Sequence, residues 1–220
     1  MHIRNILKAV SLLSAVAVFS PAQAALFSFG CITHNSAANC ATGESQLFVE
    51  VTDAGWNTDT GYNQVLFTFI NSGPDSSSIA DVYFDDGTLL GIASIDNSST
   101  GVSFSQGANP GNLPGGNSIG FETTAGFLAD ADAPVQPNGV NPGEYLGITF
   151  DLLSGITYAD TIFALESATD LRIGIHVQGF ADGGSESFVN NVTVVPIPAA
   201  IWLFGTGLIG LIGIARRKKA

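Results

Sequence analysis

The sequence predicts an all-β fold: an antiparallel β-sandwich, jelly-roll-like, with one short helix and an apolar segment at each end of the chain. Three observations predict it. Apolar residues recur with period two in a series of short runs from residue 46 onward. Gly, Asn, Asp and Pro bound those runs. Five of the nine prolines fall in two long loops, and none falls inside a strand-like run. An irregular β-barrel is the other architecture compatible with this pattern.

The strands follow in order. Leu47, Val49 and Val51 alternate with Phe48, Glu50 and Thr52, and Val65, Phe67 and Phe69 form the next inward row. Residues 79–95 read as two strands around Asp86-Gly87, a dipeptide suited to the positive φ angles of a type I′ hairpin turn. Leu146, Ile148, Phe150 and Leu152 repeat the alternation, as do Leu171, Ile173, Ile175 and Val177. Residues 188–195 read as a last strand. The exception is 157–166, where Thr157 with Asp160 imitates a capping box and Ile162 with Leu165 sits at helical spacing. Gln106–Gly116 and Ala129–Glu144 read as loops.

The ends read as addresses. Residues 1–24 form a signal peptide: Arg4 and Lys8, then the apolar run Ala9–Phe19, then the small-x-small site Ala22-Gln23-Ala24, with cleavage after Ala24. Ile197–Ala215 holds nineteen uncharged residues, about 28 Å as a helix, which is enough to cross a bilayer core. Arg216, Arg217, Lys218 and Lys219 then stop transfer and keep the tail cytoplasmic. Pro196 and Pro198 mark the helix start, and Trp202 lies about one turn in. The text match G-T-G-L-I-G to a dinucleotide fingerprint has no βαβ unit around it. Residues 25–194 are then one secreted domain, followed by the 195–220 tail.

Charge narrows the function. Between residues 25 and 195 one cation, Arg172, faces all 19 acids, a formal charge of −18. Such a body repels phosphate backbones, which excludes nucleic acid as a partner.

The tail VPIPAAIWLFGTGLIGLIGIARRKKA (195–220) resembles the PEP-CTERM sorting signal of Gram-negative bacteria: a Pro-x-Pro motif (Val195, Pro196, Ile197, Pro198), one membrane span and a basic cluster. The family's naming pattern has Glu where this chain has Ile197. The resemblance implies recognition by an exosortase, which cuts near the motif after signal peptidase has acted at the other end. Blocks such as GPDSSSIADVYFDDGTLLGIASI and LRIGIHVQGFADGGSESFV extend the resemblance over most of residues 31–190. Members of that group generally lack an assigned molecular activity. The residues alone describe a membrane tether, transient if processed and permanent if not.

Cys31 and Cys40, the two cysteines, lie in the exported part and read as a disulfide that staples a polar segment ahead of the first strand. A metal site with His34 would need more soft ligands than the sequence offers. His176 shares a strand face with Arg172 and Gln178 and reads as a polar-face histidine rather than a base. Gly183–Ser187 nearly imitates G-x-S-x-G, without the strand-turn-helix context. Asp81, Asp85 and Asp86, together with Asp130 and Asp132, are oxygen donors near turns, so Ca²⁺ is the cofactor left open; no EF-hand spacing occurs. The N-x-[ST] triplets at Asn97 and Asn191 carry little meaning in a bacterial chain.

Together these readings lead to a non-enzymatic, exported envelope or matrix protein with a structural or adhesive role in exopolysaccharide or biofilm. A lectin-like carbohydrate-binding module is the alternative, supported by exposed aromatics such as Trp56 or Tyr62 on a concave face and weakened if both are buried. A glycan-active hydrolase is the third.

Overall fold

The computed structural model describes residues 24–195 apart from residues 88, 168 and 169. The segments 1–23 and 196–220, which carry Ala22, Pro196, Ile197, Pro198 and the basic cluster, lie outside the described residues. Among the described residues no helix is long and apolar enough to cross a membrane.

The described residues form ten strands: β1 (Ala24–Cys31), β2 (Leu47–Asn57), β3 (Tyr62–Asn71), β4 (Ser78–Asp86), β5 (Leu90–Asp96), β6 (Phe104–Gln106), β7 (Leu128–Ala131), β8 (Tyr145–Leu152), β9 (Leu171–Gln178) and β10 (Glu186–Val195). Three α-helices join them: α1 (Ala37–Gln46), α2 (Val135–Asn138) and α3 (Tyr158–Ser167). The strands make one antiparallel sheet in the order β5-β8-β3-β2-β1-β10-β9-β4-β7-β6. The fold is therefore all-β, as the alternation requires. Every residue of the predicted inward rows is buried, from Leu47, Val49 and Val51 to Ile173, Ile175 and Val177.

The sheet curls on itself. Phe84 of β4 stacks edge-to-face on Phe150 of β8 at 4.7 Å and on Phe67 of β3 at 5.2 Å, although those strands lie far apart in the sheet order. The concave face is the core. A smaller cluster, Tyr83, Leu113 and Phe121, seals part of the convex face, where the loop after β6 folds back over β4 and β9. Gly174 permits this: a Cβ there would lie 2.7 Å from Leu113 Cδ2.

Three expectations are corrected. Asp86-Gly87 is not a hairpin: β4 pairs with β9 and β7, and β5 pairs with β8 at the other end of the sheet. The Asp86 carboxylate instead accepts the N–H groups of Leu89 and Leu90, both at 3.2 Å, so the chain turns away. Second, β1 precedes the cysteines, so Cys31 closes the first strand and Cys40 sits in α1. Third, β6 and β7 overlap the edges of the two loops, and α2 lies in the middle of the second. The helix at 157–166 is present as α3, with Thr157 N–H donating to Asp160 Oδ2 at 2.8 Å.

Register fixes where the chain ends emerge. Leu26 pairs with Val195 and Ala24 with Thr52, so β1 begins where β2 and β10 end. Gln64 pairs with Asp151, which brings the end of β8 to the same pole. That pole also carries the β2–β3 turn, the 153–157 connection and α3, which leads into the start of β9.

Candidate functional site

Directly opposed residues on antiparallel strands share a face. Register alone therefore aligns Ser187 of β10, His176 of β9, Asp81 of β4, Asp130 of β7 and Ser105 of β6 in one row. His176 Nδ1 lies 2.9 Å from Asp81 Oδ2. Asp81 is buried. At Asp130, burial, then the Asp81 charge and a hydrogen bond shared with the Asp81 carboxyl, push the carboxyl from 3.8 up to about 6. Asp132 accepts the hydroxyls of Ser103 at 2.6 Å and Ser105 at 2.8 Å, which hold it below the usual carboxylate range. Burial raises the Tyr83 phenol, whose O–H donates to the Pro110 carbonyl at 3.1 Å. A groove of about 290 Å³ beside the row is lined in part by Ser105, Asn109, Asp130 and Asp132.

The order Ser187, His176, Asp81 imitates a nucleophile relay, but the geometry does not support one. Ser187 is fully buried, and its Oγ has no hydrogen-bond partner. Without a base in reach, or a path for substrate, the hydroxyl is no nucleophile. The row is a structural link: His176 of β9 meets Asp81 of β4, which Asp130 of the short β7 strand opposes.

Of the acids flagged for Ca²⁺, Asp81 and Asp130 oppose each other across β4 and β7, but Asp85 and Asp86 do not join them. Asp85 and Asp86 are neighbours on a strand and point to opposite faces. Asp85 forms an ion pair with Arg172. The same guanidinium donates to the Ile119 carbonyl at 3.0 Å and lies 5.3 Å from the Phe121 ring. Asp86 faces inward, its carboxyl held above the usual range by burial. Asp81 is taken by His176 and Asp130. The Asp81, Asp85, Asp86 cluster is thus an accident of sequence spacing. Among the described residues the trio able to converge on a metal is Cys31, His34 and Cys40. The two cysteines are joined by a disulfide with an S–S distance of 2.07 Å, as the sequence predicted, and offer no thiolates.

The Gly183–Ser187 stretch is structural. Glu186 is almost fully buried and accepts the Thr33 hydroxyl, the Asn35 N–H at 3.0 Å and the Ser36 N–H at 2.6 Å. It ties the start of β10 to the loop that opens α1. Glu186 did not stand out among the 19 acids, and Asp130 did so only as an oxygen donor on a loop; strand pairing reveals what each one meets.

Two surfaces face solvent with aromatic rings. At the β2–β3 turn Trp56 is 62% exposed and Tyr62 39%. They share a hollow of about 70 Å³ with Leu153, Ser154, Gly155 and Ile156. At the opposite pole Tyr145, Ile70, Thr68 and Glu144 line an open, apolar hollow of about 420 Å³. No protein-family model, curated protein or solved structure matches this chain.

Proposed function

We propose that the chain is an exported, sandwich-like domain of the cell envelope or extracellular matrix, delivered through its C-terminal tail and serving a structural or adhesive role rather than a catalytic one. The observation that carries this reading is the pairing of Leu26 with Val195. Both ends of the folded body leave at one pole, so an N-terminal export signal and a C-terminal span attach to the same side and the rest of the domain faces outward. The acidic body, with Arg172 already engaged by Asp85 and Ile119, suits a soluble outer surface. On this reading signal peptidase cuts after Ala24, an exosortase acts near Pro196-Ile197-Pro198, and the inner membrane holds the chain between those events.

Fractionating producer cells tests it. Full-length chain is expected in the membrane and then at the surface or in the medium. Chain lacking residues 196–220 is expected to miss that route. Identical distributions of the two would refute the tail's role.

A lectin-like reading has its own support: both Trp56 and Tyr62 are exposed, and Tyr145 lines an outward hollow. Aromatic rings of this kind stack on sugar faces. Glycan arrays with Tyr145→Ala and Trp56→Ala separate the two surfaces.

A further inference from the structure

Seven large apolar side chains are exposed among the described residues: Trp56, Tyr62, Ile119, Tyr145, Leu153, Phe163 and Val192. Single exposed apolar residues are ordinary. Their placement here is not even. Trp56 and Tyr62 flank the β2–β3 turn, Leu153 directly follows β8, Phe163 stands on α3 at 70% exposure, and Val192 is in the last part of β10. By the register above, these five belong to the pole from which both chain ends emerge.

The Trp56 ring is aimed there by a local device. The register of β2 against β3 shifts between Asp53 and Gly55, and Gly55 takes a φ of 81°. A bulge of this kind reverses which face the following residues occupy. Trp56 consequently opposes Asn63, on the core-facing row with Val65 and Phe67. It lies past the end of that core, which leaves its ring largely in water.

The link from β10 to the apolar run is short. Val195 ends β10, and the uncharged run begins at Ile197, so one residue, Pro196, separates them. Two residues span at most about 7 Å. From the row of Thr52, opposite Ala24, β2 continues five residues to Asn57, on the order of 16 Å in the same direction. A body tethered this closely cannot hold its exit pole away from the bilayer surface.

We infer that the exit pole rests on the lipid surface, with Trp56, Tyr62, Leu153 and Phe163 inserting at headgroup depth while the tail still anchors the chain. This rests on the tethered reading of the tail. Trp and Tyr suit that depth because each joins an apolar ring to a polar tip. The acids nearby, Asp53, Asp59 and Asp160, point to a zwitterionic surface and to weak intrinsic affinity. Tethering supplies the effective concentration that weak contacts need, so release of the tail also releases the pole.

The chain's two tryptophans, Trp56 and Trp202, provide the test. Full-length Trp202→Phe and Trp56→Phe are each reconstituted in phosphatidylcholine vesicles, with and without acyl chains brominated near the headgroup. Emission from Trp56 in the first variant is expected to shift to shorter wavelength and to be quenched by the brominated lipid. Adding Phe163→Ser and Leu153→Ser is expected to weaken that quenching. If Trp202 is quenched and Trp56 is not, the tether stands and the pole contact is overturned. If neither is quenched, the tether fails and takes the inference with it. If Trp56 responds to soluble neutral oligosaccharides and not to lipid, the pole is a glycan site and the inference is overturned.

Discussion

Replacing Asp130 with Asn should make the protein more stable at neutral pH and leave it little changed in acid. Asp130 and Asp81 oppose each other across β7 and β4, and like charges in that position repel. Burial first, and then the Asp81 charge, favour the protonated form, so the Asp130 carboxyl is pushed from 3.8 up to about 6. A carboxyl whose folded value is raised binds more protons folded than unfolded. Its contribution is thus complete below about 3.8 and is lost as pH rises through about 6. Undiluted, that difference is worth about 3 kcal/mol. The side chain is only half-buried, so screening reduces it to about 1 kcal/mol. Asn keeps a donor toward Asp81 and never ionises. Urea unfolding of both proteins from about pH 4.5 to about pH 8 isolates the effect, because the other acids cancel in the difference. The variant is expected to gain about 1 kcal/mol on the parent across that range. A difference that stays flat, or that grows in favour of the parent toward high pH, would refute the upward shift of the Asp130 carboxyl.

Two further outcomes follow from packing and cross-linking. Gly43→Ala in α1 should destabilise by about 1–3 kcal/mol in urea, despite the better helix propensity of alanine, because the new Cβ would lie 2.2 Å from the Phe188 ring. Cys31→Ser with Cys40→Ser, which opens a link between residues nine apart, should cost about 2–3 kcal/mol and shift the urea midpoint without abolishing folding, since the sheet supplies most of the core.

Much of the fold was legible because burial on one face of a strand imposes period two on the sequence, and that signal is local. Each inward row from Leu47 to Val177 could be read this way. Strand partners could not. Nothing near Ala24–Cys31 announces that it will lie between β2 and β10, because its pairing with β10 joins residues more than 150 positions apart. α1 was hidden by its composition, AANCATGESQ, which has Gly43 inside and no apolar stripe. The site was still less legible. Asp81, Asp130 and His176 meet through three strands, whereas Asp81, Asp85 and Asp86 cluster in sequence and disperse in space. Sequence proximity is a poor guide to a cluster on a strand, since adjacent residues face opposite ways.

Asp86-Gly87 shows the same competition within a single turn. A hairpin there would return the chain beside β4, but both flanks of β4 are already taken, by β9 and by β7. The chain must cross to the far end of the sheet, and the first step needs satisfied backbone groups. Asp86 provides them: its two carboxylate oxygens accept from Leu89 and Leu90, while Thr124 Oγ1 receives the Asp86 N–H at 2.8 Å. Asp86→Ala would leave two buried N–H groups without partners, a cost of about 1–3 kcal/mol. Asp86→Asn retains one acceptor and should lose less. Hydrogen exchange is expected to show protection falling first at Leu89 and Leu90. Equal stability of all three proteins would mean that the crossover is held by strand pairing alone and that the acid merely tolerates the turn.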